Sequence, residues 1–311
     1  MTQKSIVVVG SINLDLVVSA SRIPHAGETI TGNSFNTFYG GKGANQAVAA
    51  AKLGHPVSMI GNVGDDTFGR QLRAALAESG VDTNFVTTVP GSSGVALITI
   101  GERGENNIVV VPGANGLLTP QQLEKATPVL KQAAVVLAQL EIPFETVEYL
   151  ASLTESLEIP LMLDPAPVRE LPSTLLSRVT WLTPNETEAQ GLLKAQIASD
   201  DPHSDFAAAD KLLALGPRNV LLKLGARGCV IAQPGQPKER VPAFHVDAVD
   251  TTAAGDAFNA AFAVALVRGE TVSRSAIFAS AAAAISVTRP GAQPSMPTAT
   301  EVNEFLIRQH V

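Results

Sequence analysis

Apolar residues fall in two rhythms along the 311-residue chain. One is the short unbroken run. Residues 6–9 place four β-branched side chains in succession, Ile6, Val7, Val8 and Val9, before Gly10 and Ser11. A run without polar alternation reads as a strand buried on both faces. Similar runs predict strands at 56–60, 134–139, 160–163, 179–182 and 219–223, with a short one at 229–232. The other rhythm is helical. It predicts helices over 44–53, 68–79, 120–132, 144–157, 186–193, 206–215, 254–267 and 273–287, with a last one from about 299. Gly54 and Gly80 end the first two. In the 254–267 segment Phe258, Phe262, Ala265 and Leu266 share one face.

From about residue 120 onward helix and strand alternate with short links. That order implies a parallel sheet covered by helices on both faces, with right-handed crossovers. Two early extended segments, about 14–40 and 94–112, break the rhythm. The second contains the hairpin turn GERGEN. Together they predict a small antiparallel sheet projecting from the main one. The expected architecture is an α/β three-layer sandwich with a mostly parallel central sheet and a small β-sheet lid, in a single domain over 1–311. No repeat or low-complexity linker interrupts it. The polar stretch 198–204 reads as a surface loop rather than a boundary.

Composition narrows the function. The chain is 45% hydrophobic and 16% charged, which suits a sizeable core, and its net charge of −7 argues against nucleic acid or an anionic membrane as a main partner. A single cysteine, Cys229, excludes an intrachain disulfide and a cysteine-based zinc cluster, and a reducing cytoplasm is the expected setting. The apolar start IVVVGSINLDLVVSA is broken by Asn13 and Asp15 and has no basic segment before it, so it is not expected to be a signal peptide. No apolar run reaches membrane-spanning length.

The candidate chemistry centres on VDTTAAGDAFNAAFAVAL, residues 249–266. Asp256 falls in the first turn of an apolar helix, where exposed N–H groups and the helix dipole favour negative charge. An acid there is commonly a cap, yet Thr251 and Thr252 already stand upstream to serve as caps. Ala253, Ala254 and Gly255 clear side chains from the approach, so a large anion can reach the backbone. An anion pocket beside a carboxylate suggests phosphoryl transfer to a hydroxyl.

Five further stretches carry weaker signals. YGGKGANQAVAA, residues 39–50, resembles a phosphate loop but fails its test, because Gly43 follows Lys42 where Ser or Thr is required. Its glycines instead let a small polar ligand approach the backbone, with Lys42 and Asn45 as donors. In GSINLDLVV, Asn13 and Asp15 sit on one face past the end of the first strand, suited to adjacent hydroxyls. In TPNETEAQGLL, Asn185 and Glu188 are spaced i, i+3 and suit either a helix start or a polar group near phosphates, with the acid organising magnesium through water. KLGARGCVI ends a strand in Gly225 and Gly228, which fits a turn beside a flat nucleotide. ISVTRPGAQPS carries Ser286 and Ser295 around a Pro-Gly turn that could hold a monovalent cation. Taken singly, an ordinary turn or cap explains each of the five.

Taken in this order, the motifs resemble the ribokinase-like family of carbohydrate kinases. The resemblance runs from IVVVGSINLD to TRPGAQPS, with GGKGANQA matching the first family signature and DTTAAGDAFNAAF the more specific second. It implies ATP-dependent phosphorylation of D-ribose at its 5-hydroxyl, with magnesium and potassium. By the same resemblance Asp256 matches the catalytic base, and Ala253, Ala254 and Gly255 the anion hole. Asn13, Leu14, Asp15, Gly41, Lys42, Gly43, Ala44, Asn45 and Glu141 match sugar-contacting positions. Asn185, Glu188, Lys223, Leu224, Gly225, Ala226, Arg227, Gly228 and Ser280 match the nucleotide site. Asp250, Thr252, Ser286, Arg289, Gly291 and Ser295 match a potassium loop.

Two positions depart from the family pattern. Lys223 stands where a small hydroxyl residue such as Thr is expected, and either reaches a phosphate or points to solvent. Ser280 stands where His or Asn is usual near the adenine. Both bear on nucleotide preference. Two other readings are a kinase for another sugar, such as deoxyribose, or a nucleoside, and a sugar-binding regulator without catalysis. The 5% aromatic content speaks against a nucleoside, and Asp256, Gly255, Asn185 and Glu188 speak against the regulator. A homodimer joined through an apolar outer lid face is expected.

Overall fold

The computed structural model describes residues 4–197 and 202–311. Among the described residues thirteen strands form two sheets. They are β1 (Ser5–Val9), β2 (Asn13–Ala20), β3 (Gly32–Gly40), β4 (Val57–Gly64), β5 (Val81–Val89), β6 (Gly94–Ile100), β7 (Asn106–Val111), β8 (Ala133–Ala138), β9 (Leu161–Leu163), β10 (Trp181–Leu182), β11 (Asn219–Lys223), β12 (Cys229–Ala232) and β13 (Glu239–Val241). The large sheet runs β13-β12-β11-β10-β9-β8-β1-β4-β5. It is parallel from β11 to β5 and antiparallel at the β12 and β13 edge.

The strand β1 shows why its run is unbroken. Ile6 and Val8 enter one apolar core, and Val7 and Val9 the other. The first core holds Ala44 and Val48 of the Lys42–Lys52 helix and Phe262 of the Ala254–Val267 helix. The second holds Leu123, Val147, Leu150 and Leu212 from helices on the opposite side. Helices thus cover both faces of the sheet, as its parallel pairing requires.

The small sheet, ordered β3-β2-β6-β7, differs from the expected antiparallel one. Its outer pairs are antiparallel, but the inner pair β2 and β6 is parallel. The cause lies in the large sheet. Strands β1 and β5 run parallel there through β4, and each continues after a short link into its small-sheet partner.

Other boundaries moved for local reasons. The helix expected over 120–132 is two pieces, Pro120–Lys125 and Thr127–Leu130, because Pro128 has no N–H to continue the ladder. Strand β5 was not expected, since Asp82, Thr83 and Asn84 hide its apolar residues. Of the loop expected over 198–204, residues 198–201 lie outside the described residues, and 202–204 begin the Pro202–Ala214 helix. Among the described residues no helix is long and apolar enough to cross a membrane.

Candidate active site

Two helix N-termini converge beyond the carboxyl ends of the parallel strands. The Ala254–Val267 helix starts from Ala253, whose backbone is left-handed (φ 59°, ψ 12°) and which gives no side-chain cap. Neither Thr251 nor Thr252 caps it either. Thr252 N donates to Asp250 Oδ1 at 2.9 Å, and Ala254 N reaches only the Thr251 carbonyl at 3.3 Å. A left-handed alanine is strained, and a long helix without a cap leaves N–H groups to another acceptor.

Asp256 lies in that first turn and is 5% exposed. Its carboxylate accepts from Asn45 Nδ2 at 3.0 Å and Gln46 Nε2 at 3.1 Å. Burial pushes its pKa up to about 6, with Lys42 pulling down and Asp164 adding to the rise. Small residues on both helices make this approach possible, for Ala44, Ala47, Ala257 and Ala260 are all buried between them. The N-terminus of the Lys42–Lys52 helix is fixed in turn by Ser11 and Glu141. Ser11 Oγ donates to Glu141 Oε2 at 2.5 Å, Lys42 N donates to the same oxygen at 3.2 Å, and Ala44 N donates to the Ser11 carbonyl at 2.9 Å. Gly43 permits the contact, since a Cβ there would lie 2.7 Å from backbone atoms of Gly10 and Ser11.

On this side the expected sugar residues come together. Asn13 is buried, and its Oδ1 accepts from Asn115 Nδ2 at 2.7 Å. The Asp15 carboxylate stands against Gly40, where a Cβ would meet it at 2.2 Å. Burial first, then the charges of Glu141 and Asp256, push the Asp15 carboxyl up to about 7. Burial opposes the charge on Lys42, but Asp256, Asp164, Glu141 and Glu188 outweigh it and raise its pKa. The Asn45 Oδ1 is buried without a partner, an acceptor left for a ligand. Leu14 packs into the core instead, so only its backbone can face a ligand.

On the other side of Gly255 lies a cavity of ≈ 580 Å³, lined by Lys223, Gly228, Phe244, Gly255, Ser280 and Val287 among others. Gly225 and Ala226 line it too, but Leu224 is buried in the core and the Arg227 guanidinium is held by Asp205 at 2.6 Å and Glu186 at 3.0 Å. Asn185 and Glu188 form a reciprocal cap on the Glu186–Leu193 helix, with Glu188 N to Asn185 Oδ1 at 2.8 Å and Asn185 N to Glu188 Oε2 at 2.7 Å. Burial and then Asp164 raise the Glu188 pKa, while Lys223 lowers it. Lys223 does not point to solvent. Its side chain is 11% exposed and its ammonium lies 3.2 Å from Asp164 Oδ1.

The two loops expected around a monovalent cation are tied together by Asp250, whose Oδ2 accepts from Gly291 N at 2.8 Å while its Oδ1 accepts from Thr252 N. Asp250 N and Val249 N both donate to the Val287 carbonyl. Ser286 and Ser295 turn their hydroxyls to the Ala283 and Ala292 carbonyls, and Arg289 pairs with Glu301 at 2.5 Å.

Four contributors were not singled out from sequence: Gln46, Asn115, Asp164 and Asn259. Gln46 links Asp256 to Asp164 at 3.3 Å and accepts from Gln139 Nε2 at 2.8 Å. Gln46 was available in GGKGANQA, one residue past Asn45. Asp164 had only one signal, a charge closing the apolar run at 161–163.

A buried carboxylate at an uncapped helix N-terminus, between a polar cleft and a cavity of ≈ 580 Å³, fits phosphoryl transfer onto a hydroxyl. The chain matches the pfkB family carbohydrate kinase profile over residues 3–299. It belongs to that family and is a carbohydrate kinase. It is 44% identical over 304 residues to the ribokinase of Bacillus subtilis (strain 168), covering 97% of this chain and 99% of that protein. It is 38% identical over 303 residues to a deoxyribokinase of Salmonella typhi, covering 97% and 98%. Its fold superposes on the structure of Arabidopsis thaliana ribokinase complexed with ribose and ATP with a TM-score of 0.90 at 35% identity, covering 98% of this chain and 99% of that one.

Proposed function

We propose that the enzyme transfers the γ-phosphoryl group of ATP to the 5-hydroxyl of D-ribose, giving D-ribose 5-phosphate and ADP. The observation that carries this reading is the buried Asp256 carboxylate at an uncapped helix N-terminus, with hydroxyl-binding groups on one side and a nucleotide-sized cavity on the other. Asn13, Asp15, Lys42 and Asn45 hold the sugar. A sugar hydroxyl is far too weak an acid to ionise beforehand, so Asp256 takes its proton as the oxygen attacks phosphorus. Lys42 keeps Asp256 ionised for that task, while Asn45 and Gln46 fix its orientation. The N–H groups of residues 254–256 stabilise charge on the transferred group.

Magnesium would be held through its water shell by Asp164 and Glu188, whose oxygens are already bonded to protein donors. When bound it neutralises phosphate charge. Potassium would be held by backbone carbonyls of the two loops that Asp250 joins, with that carboxylate balancing part of its charge. It would stiffen the anion hole without touching substrate. The small sheet serves as a lid that keeps water from competing with the sugar. We place the enzyme in the cytoplasm, where its one thiol, buried at Cys229 and pushed up to about 12 by burial, stays inert.

The test is ADP release over a panel of pentoses and hexoses, run in potassium and in a bulky organic cation at matched ionic strength. D-Ribose should give the highest specificity constant, and potassium should raise turnover but leave sugar affinity unchanged. Deoxyribose outperforming ribose would reassign the sugar. Equal turnover in both cations would remove the potassium site.

A further inference from the structure

Lys223 ends β11 at the carboxyl edge of the sheet, where ligands of open parallel sheets bind. Its backbone is fixed by donation from Lys223 N to the Pro184 carbonyl at 2.8 Å and by a bridge to Asn185. Its ammonium donates to Asp164 Oδ1 at 3.2 Å and to Asn259 Oδ1 at 3.4 Å. It also stands at the anion hole, for a Cβ built on Gly255 would find Lys223 Nζ at 3.5 Å as its nearest neighbour. An ammonium has three N–H donors, and two acceptors of this chain engage it. A second observation points to the same place. Asn259 is 1% exposed, and its Nδ2 has no acceptor although it is buried. A buried donor left unpaired is costly, and its Oδ1 already faces the lysine. Nor does packing account for the ion pair, because a buried pair adds little over apolar residues of similar size.

We infer that Lys223 is a built-in cation that grips the terminal phosphates of the nucleotide, with Asn259 Nδ2 donating beside it and Asp164 holding the ammonium in place until the nucleotide arrives. The inference rests on the kinase reading and deepens it. The lysine sits at the Gly255 end of the cavity, so it reaches the phosphates of a nucleoside triphosphate and leaves the base untouched. Substrate phosphate would share the ammonium with Asp164, and the positive charge would serve the anion hole whether or not a divalent ion is present.

Calorimetry with a non-hydrolysable β,γ-methylene ATP analogue and with AMP, both in chelator, tests this. Lys223→Met should weaken the triphosphate analogue by about ten- to a hundredfold, the worth of a charged hydrogen bond, and leave AMP unchanged. Lys223→Arg should retain part of the affinity. Because Lys223→Met strands the Asp164 charge, the neutral double variant Asp164→Asn/Lys223→Thr is measured alongside. In chelator it should show the same selective loss. Unchanged triphosphate affinity in the double variant, or an equal loss for AMP, overturns the inference. A wild-type protein that binds neither nucleotide overturns the kinase reading itself.

Discussion

Asp15 and Asp256 hold protons well above the ordinary carboxyl value of 3.8, to about 7 and about 6, mainly because burial penalises their charge. A folded state that binds protons more tightly than the unfolded chain loses stability as pH rises through the gap. Exposed pairs act the other way, since Glu28 and Glu301 are lowered to about 2, but their contribution is complete once the unfolded carboxyls ionise near 4.5. From about pH 5 to about 7 the raised acids, Glu188 among them, outnumber His55, whose lowered pKa acts the other way in that window, and they therefore set the slope. Thermal melts of the ligand-free enzyme should fall across that window, and Asp15→Asn should flatten the slope. An unchanged slope in that variant would show that Asp15 ionises normally. At this scale the legible residues were those in motifs: Asp256 after a glycine, Lys42 among glycines, Asn13 and Asp15 past a strand. Asp164, Asn115 and Asn259 were not legible, because each is a single polar residue whose partner arrives from far along the chain. Asn115, for example, fixes the link between β1 and β2 by accepting from Ile12 N, 103 positions away.

The helix that starts at Lys42 and the helix that starts at Ala254 use glycine differently. Gly43 faces backbone, so a methyl group there must push two chain segments apart. Gly43→Ala should cost about 1–3 kcal/mol in urea unfolding, the usual range for overpacking, and should also weaken sugar binding. Gly255 faces open space apart from the tip of Lys223. Gly255→Ala should fold as the wild type does yet lose turnover, because its methyl group stands where the anion must lie. Full turnover in Gly255→Ala would move the anion elsewhere. Apolar runs and helical faces located most of the elements in advance. They missed β5, whose edge position tolerates Asp82 and Asn84, and they could not tell that β2 and β6 are parallel, because that depends on how the large sheet is wound.

For the whole molecule, the small sheet leaves an apolar surface open. On one face Val109 and Val111 of β7, Leu97 and Phe35 are each at least 44% exposed, and Ile108 and Val110 are as open on the other. Leu97 and Val109 are cross-strand partners and share a face. We propose that this face pairs with a second copy of the chain. Sedimentation at micromolar concentration should give a dimer, and Val109→Lys a monomer. A monomeric wild type would refute the pairing. The central claim is that Asp256 drives transfer of phosphate from ATP to D-ribose, and one comparison tests it most directly. Wild-type enzyme and Asp256→Asn are assayed for ribose-dependent ADP release, with the sugar product identified by its phosphorus spectrum and nucleotide binding checked in parallel. The wild type should form ribose 5-phosphate, and Asp256→Asn should bind nucleotide normally while turning over roughly a hundredfold more slowly or worse. Near-normal turnover in Asp256→Asn, or no sugar phosphate from the wild type, would contradict the account.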